Sequence, residues 1–374
     1  MNFWEKLPKP FFALAPMADV TDAAFRRIIA KYGKPDVTWT EFVSADGLSS
    51  AGRDVLKRDL EYSEAERPIV AQLFSSHPEK MREAAKLAAS LGFDGIDINM
   101  GCPDRSIEKQ GAGAAMIKTP EIAAQIIQAA KDGIRDAGKD IPVSVKTRVG
   151  YNTIQIDEWI PFLLSQDIAA LTVHARTRKE LSKVPARWEH IKEVVAIRDR
   201  MNLATKIIGN GDVRDVAHGR QLAQETGCDG IMIGRAIFGN PWMFASIAQE
   251  RAIGKKGLAQ GGRPEQSKNR ARFYACLSRL WSGLKRRINP SHKDKYWLKA
   301  KSTVSVEERL RVMLEHTKLY MDLLGDIKSF SIMKKHYKAY VNGFDGAKEL
   351  RLKLMDATTY EETEALVAEF LKTR

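Results

Sequence analysis

Between Phe11 and about Phe244, short β-branched apolar runs alternate with longer stretches whose apolar residues recur at helical spacing. The runs predict strands at Phe12–Ala15, Val37–Glu41, Ile69–Leu73, Gly95–Ile98, Pro142–Lys146, Ala170–Val173, Lys206–Gly209 and Gly230–Ile233. Helices are expected over Glu79–Leu91, Pro120–Arg135, Trp188–Arg200 and Val213–Thr226. Short strands that alternate with helices build βαβ units, and hence a parallel sheet. Eight such repeats point to an α/β chain folded as a closed (β/α)8 TIM barrel. A doubly wound open sheet is the weaker alternative, because no G-x-G-x-x-G follows the first run. After Phe244 the alternation stops. From Glu307 to Arg374 the chain reads as all helix, broken near Gly325 and at Asn342-Gly343. The expected organisation is a barrel over residues 1–250, a linker over 251–302 carrying an amphipathic helix, and a C-terminal all-helical domain over 303–374.

Charge changes this picture in one place. The formal net charge is +13, yet between Lys255 and Lys301 there are 14 Lys and Arg against two acids, Glu265 and Asp294. That stretch carries a local net of +12 and leaves about +1 for the remainder. Such a composition suits a polyanion, either nucleic acid or a membrane surface. No segment approaches the roughly 20 apolar residues that a bilayer span requires. The first ten residues lack the apolar core of a signal peptide. Cys102, Cys228 and Cys276 are too few and too scattered for a disulfide framework or a metal knuckle, so a reducing cytoplasmic setting without a metal is expected.

Candidate chemistry gathers where the predicted strands end, which is where barrel enzymes build their sites. Pro16-Met17-Ala18, Gln72, Asn99 to Pro103, Lys146-Thr147-Arg148, His174-Ala175-Arg176, Asn210-Gly211-Asp212 and Gly234-Arg235 each close or follow a run. Nothing comparable stands at the strand beginnings. Cys102 lies in a Gly-Cys-Pro turn, where Pro103 fixes φ and Gly101 allows a tight backbone. A thiol presented on such a corner is poorly explained by packing. Cys228, just before the last run, and Cys276, within an apolar helical pattern, read as structural.

The run Ile96-Asp97-Ile98-Asn99-Met100-Gly101-Cys102-Pro103, followed by Ile107 and Gly113-Ala114, resembles the signature of the tRNA-dihydrouridine synthase family. Ala15-Pro16-Met17 with Val20-Thr21-Asp22 and Phe25-Arg26 is similar to that family's opening motif. Ala71-Gln72-Leu73, Val145-Lys146-Thr147-Arg148, Val173-His174-Ala175-Arg176-Thr177, Asn210-Gly211-Asp212 and Ile233-Gly234-Arg235-Ala236 follow in the family's order. Met333-Lys334-Lys335-His336 and Gly343 resemble its C-terminal helical domain. The chain departs from the pattern in the length of its basic stretch, and at Asp19, where many relatives carry Gly.

This resemblance implies FMN across the barrel mouth, with NADPH (or NADH) as reductant and tRNA as substrate. Pro16, Met17 and Ala18 would pass under the ring system, Gln72 would bond its polar edge, and Lys146 would face its N1/O2 region. Asn210, Gly211, Asp212, Gly234 and Arg235 would hold the phosphate, a role that their place after the seventh and eighth runs also favours. Hydride would reach C6 of a uracil turned out of the RNA stack, and Cys102 would give a proton to C5. A thiol pKa of roughly 8.5 suits that acid. His174 would join the cofactor set or, with Arg176, bond uracil carbonyls or a phosphate. Asn99, Arg148, Arg176, Lys334 and Lys335 complete the substrate set, and the enzyme would act as a monomer. In the basic stretch, Phe273, Tyr274, Trp281, Tyr296 and Trp297 are interleaved with the cations, and packing with phosphate contact is favoured over base stacking. Two other readings stay open: an FMN barrel acting on a free pyrimidine, which leaves the basic stretch unexplained, and a non-catalytic RNA-binding barrel.

Overall fold

Eight parallel strands run β1 (Phe11–Leu14), β2 (Thr38–Ser44), β3 (Ile69–Phe74), β4 (Gly95–Met100), β5 (Val143–Arg148), β6 (Ala170–His174), β7 (Lys206–Asn210) and β8 (Gly230–Ile233). They lie in the order β1-β8-β7-β6-β5-β4-β3-β2. The ring closes where Ala13 bridges Val37, with Leu14 N donating to Val37 O at 3.1 Å. The computed structural model describes residues 2–247 and 304–374. The basic stretch, with Cys276 and the Phe273–Leu284 pattern, lies outside them. Among the described residues no helix is long and apolar enough to cross a membrane.

Side chains alternate along each strand, and the two faces meet different partners. Ile96, Ile98 and Met100 of β4 and Val143 and Val145 of β5 join the shell between strands and helices. Inside the barrel, Phe11, Ala13, Trp39, Val70, Ile208 and Met232 form a separate apolar cluster. Trp4 closes it from below at 1% exposure, its ring 5.7 Å from Phe11 and 5.8 Å from Trp39. The wall made by β3 to β6 is polar instead: Gln72, Asp97, Asn99, Ser144, Lys146, Thr172 and His174 occupy the inward alternate positions. Several strands therefore extend past their expected ends, β4 to Met100 and β5 to Arg148. Polar side chains that resemble a strand terminus in sequence are the lining of the barrel.

The C-terminal helices Val306–Leu324, Met333–Tyr340, Ala347–Asp356 and Tyr360–Lys372 are broken at Gly325 and around Gly343, as expected. A third break, absent from the sequence reading, precedes Tyr360, where the Thr359 side chain accepts from Glu362 N and caps the last helix. Leu310, Met313, Tyr320 and Tyr337 share a core with Ala24 and Ile28 of the barrel helix Ala23–Gly33. His336 is buried against Phe25 and His316, with ring centroids 5.2 and 4.6 Å away. A shift of register between Trp39 and Phe42 resets the alternation of β2. Trp39 belongs to the interior cluster, Phe42 to the mouth, and Glu41 pairs with Lys328 of the helical region at 2.9 Å. Lys328 also meets Asp59 at 2.7 Å.

Candidate active site

Cys102 stands two residues past the end of β4, on a turn in which the backbone N–H and C=O of Gly101 and Cys102 are all hydrogen-bonded. Asn99 Oδ1 accepts from Gly101 N at 3.1 Å and from Cys102 N at 2.9 Å. Cys102 O accepts from Ala114 N at 2.9 Å. That approach needs Gly113: its φ is +62°, and a Cβ there would stand 2.8 Å from Cys102 O. Arg148 Nε donates to Gly101 O at 2.7 Å, and its Nη1 to Thr177 O at 3.2 Å. Much of the Arg148 guanidinium thus binds backbone around the mouth.

The Cys102 side chain is half-buried beside Phe42, Phe74, Ile107 and Ala112. Burial pushes its thiol above the usual range, while nearby Lys146 and Arg148 pull the other way. At neutral pH the group is therefore a thiol, with cations positioned to stabilise the thiolate left after proton loss. Lys146 points inward beside it, since β4 and β5 pair Asn99 with Lys146. It makes no ion pair among the described residues, and burial, helped by Arg148, lowers its pKa to about 8. An ammonium so placed calls for an electron-rich partner.

The next strands supply a chain of cations. His174 Nε2 stands 3.1 Å from Arg176 Nη1. Burial and the cations Arg148, Lys146, Arg176 and Arg235 hold its imidazole neutral. Asp212 joins the Arg176 guanidinium to Arg235, whose Nη2 lies 3.0 Å from the carboxylate. It also accepts from Ala186 N at 3.0 Å. Gly211 holds φ at +127°, and a Cβ there would meet Ala186 at 2.8 Å and the His174 ring at 3.2 Å. The turn after β7 therefore approaches the β6 turn as only glycine allows. Asn210 Nδ2 donates to Met232 O at 2.9 Å, tying β7 to β8. A Cβ at Gly234 would meet Ala15 and the Met17 sulfur at ordinary contact distance, so the turn after β8 lies beside Pro16-Met17-Ala18. Glycine backbone, an Arg235 side chain 61% exposed, and a Lys146 without an ion pair among the described residues fit a phosphate-bearing, electron-rich ring ligand such as FMN.

The mouth thus gathers Cys102, Asn99, Lys146, Arg148, His174, Arg176, Asn210, Gly211, Asp212, Gly234 and Arg235. Gln72 is fully buried in the wall beneath, its amide engaged by Asp97 and Asn99. Lys335 reaches this region through Asp19, 3.4 Å away, whereas Lys334 donates to Met355 O within the helical region. Cys228 donates its S–H to Gly230 O at 3.4 Å, at the foot of β8. Sequence reasoning passed over Asp97 and Ser144, although Asp97 is two residues from Asn99 and so shares its face.

Similarity to known proteins agrees with this arrangement. The family described as "Dihydrouridine synthase (Dus)" matches residues 13–279. "Probable tRNA-dihydrouridine synthase" of Staphylococcus aureus (strain COL) is 38% identical over 373 residues, covering 99% of this chain and 95% of that one. "Probable tRNA-dihydrouridine synthase 2" of Bacillus subtilis (strain 168) is 36% identical over 376 residues, covering 99% and 96%. A barrel carrying the cysteine turn, with likeness running through the whole chain, leaves one assignment: the chain belongs to the dihydrouridine synthase family.

Proposed function

We propose that this protein reduces the C5–C6 double bond of uridine in tRNA, with Cys102 as proton donor. Bound FMN supplies the hydride to C6, with NADPH or NADH as the electron source. Cys102 holds its proton until C5 becomes basic, because burial keeps the thiol protonated. Lys146 and Arg148 then stabilise the thiolate. Lys146 would face the electron-rich edge of the bound ring, and the neutral His174 would offer a hydrogen bond without adding charge. The turns Asn210–Asp212 and Gly234–Arg235 would hold the phosphate, with Asp212 keeping Arg176 and Arg235 in place. Asn99, Arg176 and Lys335 line the approach for the flipped base and its backbone. The helical region and the basic stretch grip tRNA phosphates. The enzyme works as a cytoplasmic monomer, with neither metal nor membrane as partner.

The observation that carries this reading is a half-buried thiol at the end of β4, beside a lysine on β5 that makes no ion pair among the described residues. Its test is Cys102→Ala. The variant should bind FMN and tRNA and be reduced by NADPH, while tRNA-dependent reoxidation slows by about 10²-fold or more. Reoxidation by tRNA at the wild-type rate would remove Cys102 as the acid.

A further inference from the structure

Beneath the cysteine turn lies a row of polar side chains, of which the proposed reaction uses only Asn99 directly. Ser144 Oγ donates to Asp97 Oδ1 at 2.6 Å, and Gln72 Nε2 donates to Asp97 Oδ2 at 2.6 Å. Asn99 Nδ2 donates to Gln72 Oε1 at 3.1 Å. Asn99 Oδ1 then takes the Gly101 and Cys102 N–H groups. Strand register makes the row possible, for Gln72, Asp97 and Ser144 are direct neighbours across β3, β4 and β5.

The direction of this row is fixed at both ends. Two backbone N–H groups can only donate, so an oxygen of Asn99 must face them and its nitrogen must face Gln72. Gln72 must in turn offer its oxygen to Asn99 and its nitrogen to residue 97. That nitrogen requires an acceptor, and Asp97 supplies one. Asp97 and Gln72 are fully buried, with Asn99 at 5% exposure, so no water competes to reorient the amides. Without the acceptor, Gln72 can turn over, Asn99 can follow, and the cysteine turn loses its anchor.

We propose that Asp97 is a positioning residue for Cys102, acting through the oriented amides of Gln72 and Asn99. The proposal rests on the reading of Cys102 as proton donor. It also gives a task to the acceptor oxygen of a carboxylate in the barrel interior, where burial raises its pKa to about 6. Both lone pairs of Asn99 Oδ1 are taken by the turn, which leaves one N–H of Asn99 for a ligand in the mouth.

Two variants of similar size separate an acceptor from a charge. Asp97→Asn and Asp97→Leu both remove the negative charge that Lys146 feels, but only Asn keeps an oxygen for Gln72. The readout is the alkylation rate of Cys102, followed by peptide-resolved mass spectrometry on flavin-loaded protein. D97N should stay within about three-fold of wild type, and D97L should differ from D97N by about ten-fold, the scale of one lost hydrogen bond. On an Asn99→Ala background, D97L should add less than about two-fold, as expected of residues acting in series. Equal rates in D97N and D97L would overturn the proposal, as would an undiminished effect of D97L without Asn99. Should D97L fail to fold, Gln72→Met interrupts the same row one step later. It should shift alkylation similarly, and a wild-type rate there overturns the idea equally well. Loss of the acid role itself would appear separately, as dihydrouridine formation by Cys102→Ala.

Discussion

Replacing Lys146 by Met should stabilise the flavin-free protein while weakening its hold on FMN. Met keeps most of the length and volume of the side chain and removes its charge. In the folded, flavin-free chain the ammonium makes no ion pair among the described residues, and partial burial lowers its pKa from 10.5 to about 8. The unfolded chain holds it at the ordinary value. Wherever the unfolded state binds the proton more tightly, holding the charge costs folding free energy. That cost is complete below about pH 8 and fades as the pH rises towards 10.5. At about 1.36 kcal/mol per pH unit it amounts to roughly 3 kcal/mol at pH 7 and to less than about half of that at pH 9.5. Losing the ammonium also withdraws its support from the buried Asp97 carboxylate, so a net gain of about 2–3 kcal/mol is expected at pH 7. Denaturant unfolding of flavin-free wild type and Lys146→Met at pH 7 and pH 9.5 measures both values. FMN titration at limiting flavin should show the opposite preference, with lower occupancy in the variant. A variant no more stable than wild type at pH 7, or a gap that ignores pH, would refute the account of Lys146 as a strained cation awaiting a ligand.

Arg235→Ala should weaken FMN binding by about 1–2 kcal/mol, towards the low end for a charged hydrogen bond because the side chain is 61% exposed. Full flavin occupancy at limiting FMN would take Arg235 out of the phosphate site. Replacing Lys285, Arg286 and Arg287 by Gln should weaken tRNA binding and flatten the slope of log K against log salt by about two, at roughly 0.7–0.9 per phosphate contact. An unchanged slope would mean that this charge serves another partner, while flavin content reports whether the barrel is intact.

Much of the architecture could be read from periodicity alone, since a strand that packs against helices on one face must place apolar residues there whatever its neighbours do. β8 is found at its expected bounds, and the helix expected over Pro120–Arg135 extends by one residue. The cysteine turn was legible too, because Gly101, Pro103 and Gly113 record backbone needs that are local. The third break in the helical region was missed, although Thr359 and Glu362 hold a local capping signal. Other features have no local trace. An amide is equally polar whether it faces a ligand or a neighbouring strand, so only register could show Gln72 and Asn99 joined to Asp97. Asp212 reads as part of a phosphate turn until the fold brings Arg176, 36 residues away, onto its carboxylate. The pairing of Glu41 with Lys328 spans 287 residues and depends on a shift in β2 that no alternation pattern announces. Sequence by itself determined which residues meet at the mouth of the barrel, because strand order and side-chain alternation are properties of the chain. Tertiary structure alone decided which of them are tied to one another and which, like Lys146, have no ion pair among the described residues, because pairing depends on distances between strands that the chain does not encode locally.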